Sequence, residues 1–299
     1  MIERLRVGTR RSPLARVQTD LVLHRLSRVV PELRFEPVAV ETSGDKDLSP
    51  GGSPDFTDRI DRALLRGEVD LAVHSAKDLP VDFDPRFAIA ACPPRANPRD
   101  CLIVGPTRSP AHLPPGARVG SSSLRRRAQL LRWRPDLTVV EMRGNVNTRL
   151  DRVRTGAVDA AILAVAGVSR LGRASEIGAV LPTTSFLPAP AQGALAVVVR
   201  VGDRSLASLV RRIDHAPTHH CVDAERAFAS ALGGDCHVPL GALATDRVGN
   251  LSLTGEVLSA DGRLSLRLRR SGPSTEAGRI GAAAGREMLG RGGLELVSR

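Results

Sequence analysis

The sequence predicts an α/β protein with mixed, mostly parallel sheets and a small α+β domain at its C-terminal end. Three observations carry that prediction. Short apolar runs alternate with helical patterns through the first two thirds of the chain, as strand–helix–strand crossovers require. Hydrophobic residues make up 42% of the 299 residues and charged residues 25%, enough to bury a core and too apolar for a disordered chain. The last third changes order, with one helix, then alternating strands, then a final helix.

In chain order, strands are expected at residues 5–8, 38–42, 69–74, 87–91, 101–104, 118–120, 137–142, 160–166 and 194–200, each a short run rich in aliphatic and β-branched residues. Helices are expected at 13–29, 56–65, 124–133, 146–154, 174–177 and 206–213. The first of these opens on Ser12-Pro13, a capping hydroxyl followed by the imino acid that suits the first helical position. In the tail, a helix near 223–232 precedes strands at 251–257 and 263–268 and a closing helix. Two proline-rich segments read as crossings between domains, Cys92-Pro93-Pro94 through Pro98 and Leu187-Pro188-Ala189-Pro190. They divide the chain into a discontinuous first domain, 1–93 with 194–213, an inserted second domain, 99–187, and a third, 216–299.

The chain carries 43 basic and 32 acidic residues, a net charge of +11. Only Lys46 and Lys77 are lysine, so nearly every cation is arginine and each lysine is informative. The excess points to an anionic partner. Nucleic acid is not predicted, because aromatic residues are only 2%, tyrosine is absent and the basic residues are interspersed with acids. No apolar run approaches the ~18 residues that span a bilayer, so no membrane segment is expected. Charges resume directly after Met1-Ile2, which gives no export signal and makes a cytoplasmic location the expectation. The four cysteines, Cys92, Cys101, Cys221 and Cys236, form no Cys-x-x-Cys pair. Disulfides are not expected in that setting. His219, His220, Cys221, Cys236 and His237 match no zinc spacing, so no metal is expected.

Three turns share one design, a strand end, a polar turn bearing arginine, then a helix start. They are Gly8-Thr9-Arg10-Arg11-Ser12-Pro13, Gly120-Ser121-Ser122-Ser123-Leu124-Arg125-Arg126-Arg127, and Arg143-Gly144-Asn145 with Arg149 one turn further on. Free N–H groups and partial positive charge at a helix start attract anions, and guanidinium forks match carboxylates. One such turn alone is ordinary capping; three at strand ends point to a shared polyanionic ligand. A fourth place, His74-Ser75-Ala76-Lys77-Asp78-Leu79-Pro80, runs from a buried strand into a lysine beside a carboxylate. A compact ammonium there suits acid–base or cation-stabilising work, although a strand-end salt bridge has the same residues. Cys236 stands in a glycine-rich turn, Gly233-Gly234-Asp235-Cys236, where something bulky can approach the backbone. A buried structural thiol is the plainer reading of a lone cysteine.

Together, and in this order, the motifs resemble the porphobilinogen deaminases, also called hydroxymethylbilane synthases. The resemblance is nearly full length. It runs from Thr9–Ala15 through His74–Pro80, Asn97-Pro98-Arg99-Asp100, Ser121–Arg126, Arg143–Val146, Leu163–Gly167 and Leu187–Gly193 to the turn holding Cys236. It implies two lobes like those of periplasmic binding proteins with a site between them, and a third domain carrying the cysteine. It also implies a dipyrromethane cofactor held on Cys236 by a thioether. Four porphobilinogen molecules are added in turn with loss of ammonia, and a linear tetrapyrrole is released by water, as a monomer's work.

By position, Asp78 is then the group that stabilises the cation formed as ammonia leaves, with Lys77 beside it. Lys77, Ser121, Ser123, Arg125 and Arg126 are implied as cofactor-binding. Arg10, Ser12, Gln18, Phe56, Arg143, Arg149, Arg170 and Gln192 are implied as substrate-binding. Six pyrroles with two carboxylates each make a heavily anionic chain, for which arginine forks are natural counter-charges. Three departures stand out: residues 47–55 form a shortened cover segment without its usual lysines, Asp235 replaces a glycine before Cys236, and Ala191 replaces a glycine before Gln192. The alternatives are a catalytically impaired paralogue or a non-catalytic anion-binding module of the same two-lobed fold.

Overall fold

The computed structural model describes residues 4–42, 57–105, 113–233, 238–293 and 295–296. Strand β1 (Arg4–Arg10), helix α1 (Pro13–Val29) and β2 (Arg34–Val40) come first. Then follow α2 (Asp58–Leu65), β3 (Leu71–Ser75), a 3-10 turn at Ala76–Asp78 and β4 (Phe87–Ala91). The middle of the chain contains β5 (Asp100–Val104), β6 (Arg118–Gly120), α3 (Leu124–Trp133), β7 (Thr138–Val140) and α4 (Val146–Arg154). It continues with β8 (Ala160–Ala164), α5 (Val165–Arg170), a 3-10 turn at Ala174–Glu176 and β9 (Ala179–Val180). The rest comprises β10 (Leu195–Arg200), α6 (Arg204–Arg211), α7 (Ala216–Ala231), β11 (Leu240–Arg247), β12 (Asn250–Leu258), β13 (Ser265–Pro273) and α8 (Ala277–Gly290).

Two compact units result, Met1–Ala96 with Ala194–His219, and Asn97–Gly193 with His220–Arg299. The first holds a sheet of order β2-β1-β3-β10-β4. Strand β1 pairs parallel with β2 and β3, and β10 pairs antiparallel with β3 and β4. One sheet face buries Leu5, Val7, Leu71, Val73, Val197 and Val199 against Val22 and Leu26 of α1 and Leu206 and Val210 of α6. On the other face Ile60 of α2 packs so close to Gly8 that only glycine fits without displacing it.

The second unit repeats the plan with order β7-β6-β8-β5-β9, again two parallel and two antiparallel pairings. Alternation along β5 sends Cys101 and Ile103 toward α4 and α5, and Leu102 toward Leu130 of α3 and Phe186. The tail adds the antiparallel sheet β11-β12-β13 to this unit. The two five-stranded sheets are thus mixed, less parallel than the strand–helix alternation suggests. In each of those two, one strand that joins the sheet from a distant part of the chain runs against its neighbours.

Several boundaries differ from expectation for identifiable reasons. Strand β2 starts at Arg34, not 38, and takes in Pro37, which is tolerated because β2 is an edge strand and loses no interior ladder bond. The apolar run 160–166 divides into β8 and α5, since a fully buried run has no period that separates strand from helix. Strands β9 and β11 were not foreseen. Helix α7 starts at Ala216, with Pro217 in its first turn where a missing N–H costs nothing.

In the tail, α8 lies on α7 through Gly281 and Gly285. A Cβ on Gly281 overlaps the Ala224 carbonyl, and one on Gly285 reaches 2.8 Å from the Phe228 carbonyl oxygen. Because both obstacles are backbone, Gly281→Ala is expected to lower the stability of the chain by about 1–3 kcal/mol in denaturant unfolding, the usual cost of overpacking. Gly278→Ala, on the same helix with nothing within reach, is expected to be neutral or stabilising.

Candidate functional site

In the first unit, the parallel register Val7↔Leu71 and Gly8↔Ala72 brings the C-terminal ends of β1 and β3 side by side. Arg10 closes β1, and the turn bearing Lys77 and Asp78 follows β3. Arg10 Nη1 and Asp78 Oδ2 stand 3.9 Å apart, both part-buried. Ser12 caps α1, its Oγ accepting from the Ala15 N–H at 3.2 Å. Thr19 Oγ1 donates to Thr9 Oγ1 at 2.7 Å in the interior, which pins α1 to the end of β1. Arg10, Ser12, Gln18, His74, Lys77 and Asp78 all line one small pocket of about 70 Å³. Buried His74 is held neutral, its pKa pushed down to about 4 by burial and then by the charge of Arg10.

In the second unit, Asp100 opens β5 with no exposed surface. Arg125 Nη1 donates to Asp100 Oδ2 at 2.8 Å, to Gln129 Oε1 at 3.1 Å and to the Leu187 carbonyl at 2.7 Å. Arg126 grips Asp100 Oδ1 through Nε at 3.1 Å and Nη2 at 2.7 Å. Gln192 Nε2 donates to the Pro98 carbonyl at 2.8 Å and to Asp100 Oδ1 at 3.0 Å. Burial alone raises the Asp100 pKa, but the two guanidiniums outweigh it and hold the carboxyl far below its ordinary value.

The preceding residue of the loop, Ala191, has a positive φ of 59°. That backbone costs a non-glycine residue about 1 kcal/mol or more. Glu225 compensates, accepting from the Ala191 N–H at 2.5 Å and the Ala244 N–H at 2.7 Å.

The remaining arginines of this unit are arranged differently. Asn145 caps α4, accepting from the Thr148 N–H at 3.0 Å, after Gly144 turns the chain at φ 107°. Arg149 donates to the Gly144 carbonyl at 2.9 Å and, at 3.4 Å, to Ser122 Oγ. Its pKa falls to about 10 through burial and then through Arg126, Arg152 and Arg143. Arg170 donates to the Gly193 carbonyl at 2.7 Å and is pushed down to about 10 by burial. Neither guanidinium has a carboxylate partner among the described residues. Arg143 pairs with Glu141 at 2.8 Å. Ser121 Oγ accepts from Ser123 N, and Ser123 caps α3.

The expected site residues therefore separate into groups. Arg10, Ser12, Gln18, Lys77 and Asp78 share one pocket. Arg143, Arg149, Ser121 and Ser123 sit at the helix-start turns, and half-buried Arg170 sits at the end of α5. Arg125, Arg126 and Gln192, expected to face ligand, are turned inward because Asp100 is buried and requires counter-charge. Phe56, Cys236, Asp235 and the segment 47–55 lie outside the described residues. Asp100 itself escaped sequence reasoning as a functional group, although an acid opening an otherwise apolar strand was its signal. His74 was quoted only as part of its motif.

Half-buried guanidiniums with no carboxylate partner among the described residues, Arg149 in α4 and Arg170 at the end of α5, belong to an α/β protein able to accept anionic groups. The chain belongs to the porphobilinogen deaminase family. Residues 5–208 match the family model described as "Porphobilinogen deaminase, dipyromethane cofactor binding domain", and residues 219–290 match "Porphobilinogen deaminase, C-terminal domain". The chain is 43% identical to the porphobilinogen deaminase of Thermus thermophilus, covering 98% of each chain. It is also 43% identical to that of Stenotrophomonas maltophilia, over 99% of this chain and 100% of the relative. Among solved structures, the Bordetella pertussis BvgS periplasmic VFT2 domain is similar over 71% of this chain and 86% of that one, with 18% identity and a TM-score of 0.43. Among the described residues no helix is long and apolar enough to cross a membrane.

The Asp100 cluster yields a pH-dependent prediction. Its folded pKa lies below the unfolded value near 3.9, so its stabilising effect is present above about pH 4 and lost as pH falls below it. Asp100→Asn leaves two buried guanidiniums facing a neutral group. It is expected to lower unfolding free energy by about 3–5 kcal/mol at pH 7. The mutant's stability, followed by denaturant titration from pH 7 to pH 3, is expected to fall less steeply than that of the parent chain.

Proposed function

We propose that this chain is a transferase of the hydroxymethylbilane synthase type. It condenses four porphobilinogen molecules, with one ammonia lost at each condensation, and releases a linear tetrapyrrole by addition of water. The observation that carries this reading is the single pocket in which Arg10, Ser12, Gln18, Lys77 and Asp78 meet at the ends of β1 and β3. Asp78 is the fixed anion for the positive charge that develops on the substrate as ammonia departs, which a preorganised carboxylate stabilises without rearrangement. Arg10, Ser12 and Lys77 offer donors to the substrate's carboxylates, and Gln18 shapes the wall behind them.

The residues present fit a dipyrromethane cofactor. Arg149 and Arg170 are buried enough to lose solvation and hold no carboxylate among the described residues, so a ligand's carboxylates match them. The Asp100 cluster keeps one positive charge in excess, one carboxylate against Arg125 and Arg126, and so favours anions nearby. Bound through a thioether, the dipyrromethane supplies the nucleophilic pyrrole carbon from which the chain is extended. The family resemblance assigns attachment to Cys236; the described cysteines, Cys92, Cys101 and Cys221, are buried. The Cys101 thiol is pushed up to about 12, chiefly by burial, which leaves it unreactive. The same reading makes the protein a cytoplasmic monomer with porphobilinogen as its small-molecule partner.

Intact-mass measurement of the purified chain tests this reading. A covalent dipyrrole adduct is expected on the parent chain and none on Cys236→Ser. An unmodified parent chain, even after incubation with porphobilinogen, refutes it. Asp78→Asn is expected to lower kcat by about 100-fold or more, the scale of losing one preorganised electrostatic group. Its melting temperature is expected to stay within a few degrees of the parent's, since Asp78 is part-buried and its 3.9 Å pairing with Arg10 is loose.

A further inference from the structure

Two buried hydroxyls stand behind the pocket rather than in its wall. Thr9 precedes Arg10 on β1 and Thr19 follows Gln18 on α1, and each is only 1% exposed. Thr19 Oγ1 donates to Thr9 Oγ1 at 2.7 Å, and Thr9 Oγ1 donates in turn to the Ala15 carbonyl at 3.3 Å. The Ala15 N–H donates to Ser12 Oγ at 3.2 Å, which leaves the Ser12 hydrogen for another acceptor. Helical threonines often turn the hydroxyl back to the preceding turn of their own helix, whereas Thr19 reaches across to the strand. Valine at either position fills a similar volume without burying a hydroxyl, so packing does not explain the pair. The end of β1 gives it a task. Strand β1 pairs with β2 as far as Arg10↔Val40, but with β3 only at Val7↔Leu71 and Gly8↔Ala72. Thr9 and Arg10 are therefore held in the sheet from the β2 side alone, and the hydroxyl pair supplies a tie to α1.

We propose that Thr19 is a positioning residue for the condensation: through Thr9 it fixes the end of β1 against α1, and so sets Arg10 and Ser12 relative to Gln18 around the pocket. The inference rests on the reading of that pocket as a porphobilinogen site. Arg10 adjoins one hydroxyl of the pair, Gln18 adjoins the other, and Ser12 lies at the far end of the bonded run. All three line the pocket, although neither threonine does. Their side chains meet a ligand correctly only if the backbones beneath them are set, since a displacement of about 1 Å degrades a positioned contact. Asp78 follows β3, outside the tie, and keeps its place when the tie is lost. Donors to substrate carboxylates are remote from the reacting carbon and act alike in ground and transition states. Loosening them therefore raises KM more than it lowers kcat.

Steady-state kinetics of the holoenzyme with porphobilinogen, normalised by intact mass to the adduct-bearing chain and read alongside thermal melting, tests the assignment. Thr19→Val removes the donor and keeps the volume. It is expected to raise KM about 10-fold, the scale of weakening one charge-assisted hydrogen bond, with kcat within about threefold. Thr19→Ser keeps the donor and loses a methyl group. Its melting temperature is expected to fall by about 2–4 °C while its KM stays within about twofold of the parent's. A merely structural role makes KM follow the loss of stability in both variants instead. A parent-like KM in Thr19→Val overturns the proposal, and so does a KM in Thr19→Ser raised as far as in Thr19→Val. Where the valine variant does not fold, Thr19→Ala replaces it, and a KM equal to that of Thr19→Ser overturns the proposal. If the parent chain neither carries an adduct nor turns over porphobilinogen, the functional reading falls and takes this assignment with it. If the parent chain is active and its variants match it, only the Thr19 assignment falls.

Discussion

The buried carboxylate of Asp100 constrains more of the second unit than any other group. Removing a carboxylate from water is tolerable only with charge-assisted bonds on its oxygens, and here Arg125, Arg126 and Gln192 provide them. Each partner is thereby fixed in turn. Arg125 and Arg126 occupy the first turn of α3, so their grip sets where that helix starts relative to β5. Gln192 ties the proline-rich loop to Pro98, and Arg125 and Gln129 both donate to the Leu187 carbonyl of the same loop. Gln129 also donates to Glu256 Oε2 at 3.3 Å, a buried carboxylate of β12 that Arg132 and Arg267 engage from either side. One acid thus connects a strand start, a helix start, a loop and the tail sheet. That network accounts for the tail's place in the second unit.

Not every guanidinium of this unit is neutralised in the same way. Among the described residues, Arg125 and Arg126 hold Asp100 and Arg143 holds Glu141. Arg149 and Arg170 donate to main-chain carbonyls instead, at Gly144 and Gly193. A carbonyl orients a guanidinium without neutralising it. The charge stays available while the side-chain entropy is already lost, so a carboxylate that docks there meets a preorganised fork. Lysine is less suited to that double use, being a single flexible point charge. The chain's near-total preference for arginine, 41 of its 43 basic residues once Lys46 and Lys77 are set aside, suits this arrangement whatever produced it.

Much of the fold was legible because local rules and tertiary packing agree. Ser12 and Asn145 act as the caps their positions suggest, and α3 and α4 begin and end where the pattern places them. The three arginine-bearing turns occur after strand ends, as expected for strand-to-helix connections. What was not legible depends on distance along the chain. That Asp100 meets Arg125 and Arg126 is a pairing across 25 and 26 residues, and no periodicity encodes it. The same two arginines, read from their turn alone as forks for a ligand's carboxylates, become interior groups once that acid is buried beside them. The division of residues 160–168 into strand and helix is hidden for the opposite reason, since every position is apolar or small on both sides of the boundary.

Ala191 and Glu225 show how a substitution that looks adverse in sequence is absorbed in structure. Glycine is the ordinary occupant of a φ of 59°, and alanine there is strained. The strain is local to one peptide, whereas the compensation comes from α7, whose Glu225 is wholly buried and accepts N–H groups from both the loop and β11. A buried carboxylate receiving two backbone donors is held in one place, and so it holds the loop that it binds. The loop's next residue is Gln192, the link to Asp100. The strained alanine is therefore clamped between two buried carboxylates, one reached through its own N–H and the other through its neighbour's side chain. Glycine at position 191 relieves the local strain but leaves that double anchoring unchanged, which is why the sequence departs here without the loop losing its course.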